Sequence, residues 1–187
     1  MEFARKYKDW TVDDWKRVVF SDETQITFVN STVREYYYKH KGEPLRSRHI
    51  RSMLKHGGGF LMAWGCVTSQ GIGNLCRIDG GFDSVLYTTI LSEDYLKSLE
   101  YYGIPKSQVI FQHDNDPKHT SIITREWLRN NRIEVLEWPS QSPDLNIMEH
   151  MWSELKRRLR YYQRLPKNMT ELWERIEKEW DSIDLEP

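Results

Sequence analysis

The stretch VIFQHD at residues 109–114 is a short apolar run that leads into an acid, and RVVFSD at residues 17–22 repeats this pattern earlier in the chain. Short apolar runs of this kind predict buried strands. If the two strands are neighbours in a sheet, their C-terminal ends place Asp22 and Asp114 side by side. The two stretches therefore predict a sheet edge that carries two carboxylates.

The rest of the chain predicts strands first and then strands that alternate with helices. Further strands are predicted at residues 25–29, 36–38, 60–67, 74–78 and 133–136. Helices are predicted at residues 84–102, 119–130 and about 170–181. This order is typical of an α/β domain with a mixed central sheet flanked by helices.

A third acid follows the two-proline loop WPSQSPD at residues 138–144. The next helix carries one apolar stripe, formed by Met148, Trp152, Leu155 and Leu159. Glu149 lies in the first turn of this helix and off the stripe. A helix packed across the sheet edge would present Glu149 to the two aspartates.

Three carboxylates at one edge point to metal-dependent chemistry. Crowded carboxylates raise each other's pKa unless a cation lies between them. Mg²⁺ and Mn²⁺ are hard ions that prefer such oxygen ligands. Two of them, roughly 3.5 to 4 Å apart, can activate an attacking oxygen and stabilise a leaving one. Taken singly, each acid is equally well explained by a turn or by the dipole of a helix.

Length and composition limit the class of protein. The chain has 187 residues, of which 39% are hydrophobic, so it suits one domain with a real core. Two cysteines, Cys66 and Cys76, suggest neither a disulfide framework nor a zinc site. We find neither a signal-peptide pattern nor an apolar run of about 20 residues that could span a membrane. These features predict an intracellular protein with no membrane partner.

The net charge of −1 hides an uneven distribution of charge. Residues 34–56 hold seven Lys or Arg against two acids, and residues 156–164 hold a second basic cluster. Residues 170–187 hold seven acids against two bases. Two basic patches on a nearly neutral chain are compatible with nucleic-acid binding at defined places.

Five stretches of the chain resemble the Tc/mariner superfamily of DNA transposases, in the same order. They are WKRVVFSDE (15–23), KHGGG (55–59), MAWGC (62–66), FQHDNDPKHT (111–120) and WPSQSPDLN (138–146). The 34 residues 115–148 separate the second and third acids, a spacing typical of the Asp-Asp-Glu branch of that superfamily. The resemblance runs from about residue 10 to residue 160.

The resemblance implies an RNase H-like fold and a triad of Asp22, Asp114 and Glu149 that binds two Mg²⁺ ions, for which Mn²⁺ can substitute. It implies hydrolysis of a phosphodiester at the transposon ends, followed by strand transfer of the freed 3′-hydroxyl into double-stranded DNA at TA dinucleotides. It also implies a homodimer that works in the nucleus. The basic segment at about residues 41–57 matches the position of the superfamily's clamp loop.

Two departures from the superfamily pattern are visible. The superfamily usually has Asn-Pro-Ile-Glu at the third acid, whereas this chain has NIME at residues 146–149. A proline there presets the first turn of the helix, so its loss is expected to loosen the approach of Glu149 slightly. The N-terminal helix-turn-helix region of the superfamily is also missing, so residues 1–187 are expected to form a single catalytic domain.

Several other residues have two open interpretations. Asn115 and Asp116 can position a phosphate or Asp114, although capping of the following helix is the favoured reading. His119 can contact the scissile phosphate or form a structural hydrogen bond. Contact with DNA phosphates, rather than simple solvent exposure, is the preferred interpretation of the basic side chains Arg46, Arg48, Arg51, Lys55, Lys118, Lys156, Arg157 and Arg160.

Two other functions compete with an active transposase. A domesticated transposase could bind DNA or protein without catalysis, but a pure binding module need not keep all three acids. An RNase H-like nuclease unrelated to transposition would not need the basic insertion or the PSQSPD loop at residues 139–144. The sequence therefore favours the catalytic domain of a cut-and-paste transposase.

Overall fold

The computed structural model describes residues 2–27, 59–140 and 142–184. The predicted strand at residues 36–38 and the predicted clamp loop at residues 41–57 lie outside these ranges. So do the four basic residues predicted to contact DNA from that loop, Arg46, Arg48, Arg51 and Lys55. These expectations stay predictions.

Five strands form one mixed sheet. They are β1 (Val18–Thr27), β2 (Phe60–Thr68), β3 (Gly71–Ile78), β4 (Ile110–Gln112) and β5 (Glu134–Val135). Their order in the sheet is β3-β2-β1-β4-β5. The first three strands pair antiparallel with one another, whereas β4 pairs parallel with both β1 and β5. The longest strand, β1, is central and joins the two halves.

Helices flank this sheet. They are α1 (Glu2–Lys6), α2 (Val12–Trp15), α3 (Ser84–Ile90), α4 (Leu96–Tyr101), α5 (Ile122–Asn130), α6 (Met148–Arg160) and α7 (Met169–Asp181). A π-helical segment, Leu91–Tyr95, joins α3 to α4, and short 3₁₀ turns occur at Lys106–Gln108 and Pro143–Leu145. None of the helices in the described ranges combines the length and the hydropathy needed to cross a bilayer.

The sheet has a hydrophobic core on each face. On one face, residues of α3, the π-helical segment, α4 and α5 pack with Val19, Trp64 and Phe111 of the strands. On the other face, α6 and α7 pack through Trp152 and Trp180 against β1, β2 and β3. The apolar stripe predicted for α6 is buried here as expected. The prediction of an α/β fold with a mixed central sheet flanked by helices is confirmed, and the helices cover both faces.

Several predicted boundaries were wrong. The strand predicted at residues 74–78 begins at Gly71. The strand RVVFSD does not end at Asp22, because β1 continues to Thr27 and pairs with β2 from Phe20 onward, so it includes residues 25–27 of the strand predicted at residues 25–29. The helix predicted from residue 119 begins at Ile122. The side chain of Ser121 caps it by accepting a hydrogen bond from the Thr124 backbone N–H at 3.1 Å.

Gly65 of β2 lies beneath the ring pair formed by Trp152 and Trp180, whose centroids are 5.0 Å apart. A Cβ at Gly65 would lie 2.9 Å from Trp152 Cη2 and 3.1 Å from two ring atoms of Trp180. Both indoles are fully buried, so neither can move away cheaply. A glycine is therefore required at this point of close packing.

We predict that Gly65→Ala lowers the free energy of unfolding by about 1 to 3 kcal/mol, because the added methyl overpacks the core. Urea denaturation followed by tryptophan fluorescence measures the change. Gly81→Ala is the matched control, since a Cβ there meets nothing within 4 Å. Equal stabilities of the two variants would contradict the packing argument.

Candidate active site

The parallel ladder between β1 and β4 determines the position of the first two acids. Phe20 pairs with Gln112. Asp22 comes two residues after Phe20, and Asp114 comes two residues after Gln112. Ser21 extends the contact, because its Oγ donates a hydrogen bond to the Gln112 carbonyl at 2.8 Å. Both aspartates therefore lie at the end of the same ladder, although Asp22 is inside a strand and Asp114 is beyond one.

Asn146 determines the position of the third acid. Its side-chain Nδ2 donates to the Ser21 carbonyl at 3.3 Å, and its Oδ1 accepts from the Met148 N–H at 3.1 Å. Its carbonyl accepts from the Glu149 N–H at 3.1 Å. One buried amide thus ties the start of α6 to the residue before Asp22, which brings Glu149 to the aspartates.

The three acids line one cavity of about 350 Å³. Its other walls come from the loop between β5 and α6 and from Asn115. No group of three or more His, Cys, Asp or Glu in the described part of the chain is arranged to hold a metal ion as it stands. The carboxylates share the cavity without converging on a common point.

The environment of Asp22 disfavours its charged form. Burial raises its pKa to about 7, and the nearby charges of Glu23 and Glu149 act in the same direction. The opposing hydrogen bonds include one from Trp152 Nε1 to Asp22 Oδ2 at 3.2 Å. An acid with this environment is suited to a cation that would restore its charge.

Asp114 has the opposite environment. Its Oδ1 accepts hydrogen bonds from His119 Nδ1 at 2.6 Å and from the Asp116 N–H at 3.0 Å. The bond from His119 is the largest cause that lowers the pKa of Asp114, to about 2. The two aspartates of one cavity therefore differ strongly in their affinity for a proton.

His119 lies between two carboxylates. Its Nε2 is 3.2 Å from Glu23 Oε1, while its Nδ1 contacts Asp114. Burial alone would lower the pKa of His119, but the hydrogen bonds to Asp114 and Glu23 raise it to about 9. A carboxylate at each nitrogen favours the doubly protonated ring, in which both N–H groups donate. His119 thus forms structural hydrogen bonds, and its contact with the scissile phosphate stays a prediction.

Sequence reasoning missed the role of Glu23. Because β1 continues past Asp22, the side chains of Asp22 and Glu23 lie on opposite faces of the strand. The contact between Glu23 and His119 joins residues 96 positions apart in the chain, so no local pattern reveals it. The one available signal was a second acid directly after Asp22.

Asn115 and Asp116 do not cap the following helix, so that favoured interpretation was wrong. Ser121 is the N-cap residue of α5. Asn115 Nδ2 instead donates to the Trp138 carbonyl at 2.8 Å, which ties the segment after Asp114 to the wall of the cavity. Asp116 caps a turn, because its Oδ1 accepts from the Lys118 N–H at 2.9 Å.

The predicted basic contacts occupy different environments. Lys118 is only 15% exposed and pairs with Asp116 at 2.7 Å. Arg157 forms a bidentate pair with Glu154. Lys156 is partly buried beside the triad, where its Nζ donates to Thr24 Oγ1 at 2.7 Å. Arg160 is exposed one turn further along α6, on the same helix face as Lys156.

Comparisons with known proteins agree on one family. A family model described as DDE superfamily endonuclease matches residues 17–173. The transposable element Tcb1 transposase of Caenorhabditis briggsae is 36% identical over 185 residues, which is 99% of this chain and 66% of that protein. The Tc1 transposase of Caenorhabditis elegans is 33% identical over 183 residues, which is 98% of this chain and 66% of that protein. The chain thus spans just under two thirds of the length of these relatives.

Solved structures show the same fold. A Mos1 transposase paired-end complex with left transposon end superposes with a TM-score of 0.79 at 22% identity, covering 98% of this chain and 52% of that chain. The catalytic domain of Mos1 mariner transposase gives a TM-score of 0.68 at 20% identity, with 98% and 78% covered. The RNase H-like fold expected from the sequence is therefore confirmed.

We predict that Asp22→Asn stabilises the metal-free protein at pH 8 by on the order of 2 kcal/mol. The folded pKa of Asp22 lies above its unfolded value, so the stability from its protonation is complete below about pH 4 and is lost as the pH rises through about 7. Denaturation in EDTA across this range measures the effect, and the gain should vanish toward pH 4.

Asp114→Asn is the matched control and has the opposite sign. Its lowered pKa contributes stability above the unfolded pKa, which is lost as the pH falls toward about 2. Asp114→Asn therefore destabilises the protein at pH 8. Stabilisation by both substitutions, or by neither, would contradict the two environments described for these acids.

We also predict that Ile147→Pro stabilises the protein by about 0.4 to 1 kcal/mol. Ile147 has φ −59° and the preceding Asn146 has ψ 112°, and both angles suit a proline at residue 147. Its backbone N–H donates no hydrogen bond in the described residues. Thermal unfolding measures the gain. His150→Pro is the contrast, because its N–H donates to the Ile147 carbonyl at 3.0 Å and its loss destabilises α6.

Proposed function

The chain belongs to the DDE superfamily endonuclease family, and from this premise we propose that it is the catalytic domain of a cut-and-paste DNA transposase. The proposed reaction is metal-dependent hydrolysis of phosphodiesters at transposon ends, followed by strand transfer into target DNA at TA. The observation that carries this proposal is the single cavity lined by Asp22, Asp114 and Glu149. Transposases are also the curated relatives of this chain.

We propose that these three acids hold two Mg²⁺ ions, with Mn²⁺ as a substitute. The residues fit such ions, because they offer carboxylate oxygens and because Asp22 is largely buried beside like charges, with no cationic side chain bonded to it among the described residues. Mos1 paired-end complexes have been solved with Mn and with Mg. When bound, a pair of such ions activates the attacking oxygen and stabilises the leaving one.

The protein's own groups support this chemistry in distinct ways. Asn146 and Trp152 fix the backbone and side chain around Asp22, so that acid does not need to reorganise. Lys156 places a positive charge within reach of both Asp22 and Glu149. His119 is 3% exposed and bonded at both nitrogens, so its role is to hold Asp114 and not to move a proton of the substrate.

The substrate and assembly follow from the family. Solved relatives include a Mos1 paired-end complex with the left transposon end and a Mos1 strand transfer complex. We propose by analogy that this chain acts on double-stranded DNA, that it works in the nucleus as a homodimer, and that residues 41–57 form its clamp loop. Lys156 and Arg160 are the described basic residues whose position on α6 suits contact with that DNA.

The alternative of a domesticated binding module is not favoured. A module without catalysis would need neither the two aspartates in one cavity nor the Asn146 contacts that bring Glu149 to them. The shared cavity of all three acids therefore supports an active enzyme over a binding protein.

We predict that Asp22→Asn, Asp114→Asn and Glu149→Gln each lower Mg²⁺-dependent strand transfer by at least about 1,000-fold, because each removes a metal ligand. The assay joins a pre-cleaved DNA end to plasmid DNA that contains TA sites, using full-length protein. Sequencing of the junctions tests the preference for TA.

Asp144→Asn is the control, because this acid lies in the same loop as the cavity wall but is exposed and does not line it. It should keep activity within about threefold. Strand transfer that survives Asp114→Asn would refute the proposed triad. Cleavage of RNA–DNA hybrids without any strand transfer would refute the proposed reaction.

A further inference from the structure

Glu23 is a buried acid on the strand that carries Asp22, but it faces away from the cavity. Its side chain is 11% exposed. Its Oε1 lies 3.2 Å from His119 Nε2, and its Oε2 lies 3.8 Å from Lys118 Nζ. Because successive residues of a strand point to opposite faces, Glu23 cannot line the cavity together with Asp22. Glu23 contacts His119, and His119 contacts Asp114, so the link from Glu23 to the cavity is indirect.

The ring of His119 is held in one orientation. It is 3% exposed, and its centroid lies 4.1 Å from the Tyr87 ring. It also stacks on His113 at 5.2 Å with an interplanar angle of 8°. A ring packed in this way presents its two nitrogens in fixed directions. Glu23 engages Nε2, and the opposite nitrogen, Nδ1, then points at Asp114.

Asp114 depends on this support more than Asp22 does. Asp114 follows β4 in a segment without regular structure, and its side chain is 56% exposed. Both of its hydrogen bonds in the described residues go to Oδ1, and no donor there engages Oδ2. His119 is the one side chain among them that decides which carboxylate oxygen stays available to the cavity.

We propose that Glu23 is a positioning residue that acts through His119 to hold Asp114 with Oδ1 engaged and Oδ2 left for the cavity. The inference rests on the proposed function, because it gives Asp114 a divalent ion to bind. Hydrogen-bond partners behind a metal ligand commonly change metal affinity by about 10- to 100-fold. Glu23 would therefore affect metal binding without touching the metal.

Glu23→Leu tests this role, since it removes the acceptor while keeping a side chain of similar size. We expect Mn²⁺ affinity to fall about tenfold, measured from the electron paramagnetic resonance signal of free Mn²⁺. The half-saturating Mg²⁺ for strand transfer should rise by a similar factor, whereas the rate at saturating Mg²⁺ stays within about threefold. Glu23→Gln keeps an acceptor and should stay near wild-type affinity.

A double-mutant cycle tests whether Glu23 acts through His119. His119→Gln alone should weaken Mn²⁺ binding at least as much as Glu23→Leu. If the two residues form one chain of contacts, adding Glu23→Leu to His119→Gln causes no further loss. Fully additive losses would overturn the proposal, because they would mean that Glu23 acts by another route.

Glu171→Leu is the matched control, because it removes another partly buried and ion-paired carboxylate, far from the cavity. It should leave Mn²⁺ affinity unchanged, and melting curves in EDTA verify that each variant is folded. Wild-type affinity in folded Glu23→Leu would overturn the proposal. If that variant does not fold, His119→Gln decides, and wild-type affinity there overturns the proposal.

These outcomes separate the inference from the function on which it rests. Asp114→Asn with wild-type Mn²⁺ affinity would refute the proposed metal site itself. Weak binding by Asp114→Asn together with wild-type binding by Glu23→Leu would refute only the role of Glu23.

Discussion

The short parallel ladder between β1 and β4 is the contact on which the candidate site depends. It has three residue pairs, extended by the hydrogen bond from Ser21 to Gln112. A slip of one residue in β1 would exchange the faces of Asp22 and Glu23, because side chains alternate along a strand. The longer antiparallel ladder to β2, which runs from Phe20 to Thr27, holds β1 in register. The geometry of the candidate site thus relies on strand pairing in the other half of the sheet.

Local patterns made the fold predictable, and also the cavity that the three acids share. The apolar runs before Asp22 and Asp114 are typical of buried strands, and the apolar stripe on α6 follows the repeat of a helix. Patterns of this kind can be read directly from the sequence. The end of β1 was missed because pairing with β2 prolongs the strand. The start of α5 was missed because Ser121, and not an earlier residue, caps this helix. The link from Glu23 to His119 is a tertiary contact, so only the fold reveals it.

The two aspartates of the cavity have different environments. Burial raises the pKa of Asp22 to about 7, whereas the hydrogen bond from His119 lowers the pKa of Asp114 to about 2. If the proposed cation binds here, Asp114 would be the readier ligand, and binding near neutral pH would be coupled to proton release, mainly from Asp22. The three carboxylates do not converge on one point, which is consistent with a site whose geometry is completed when the ions bind.

The indole of Trp152 joins Asp22 to the far end of the chain. Its Nε1 donates to Asp22, its ring stacks on Trp180 of α7, and Trp180 Nε1 donates to the Gly73 carbonyl at 2.9 Å. Ile183, just after α7, is also part of this core. A shortened chain that stopped before Trp180 would keep all three acids and still lose the packing behind one of them. The packing behind Asp22 therefore extends through Ile183, well beyond Glu149 in the chain.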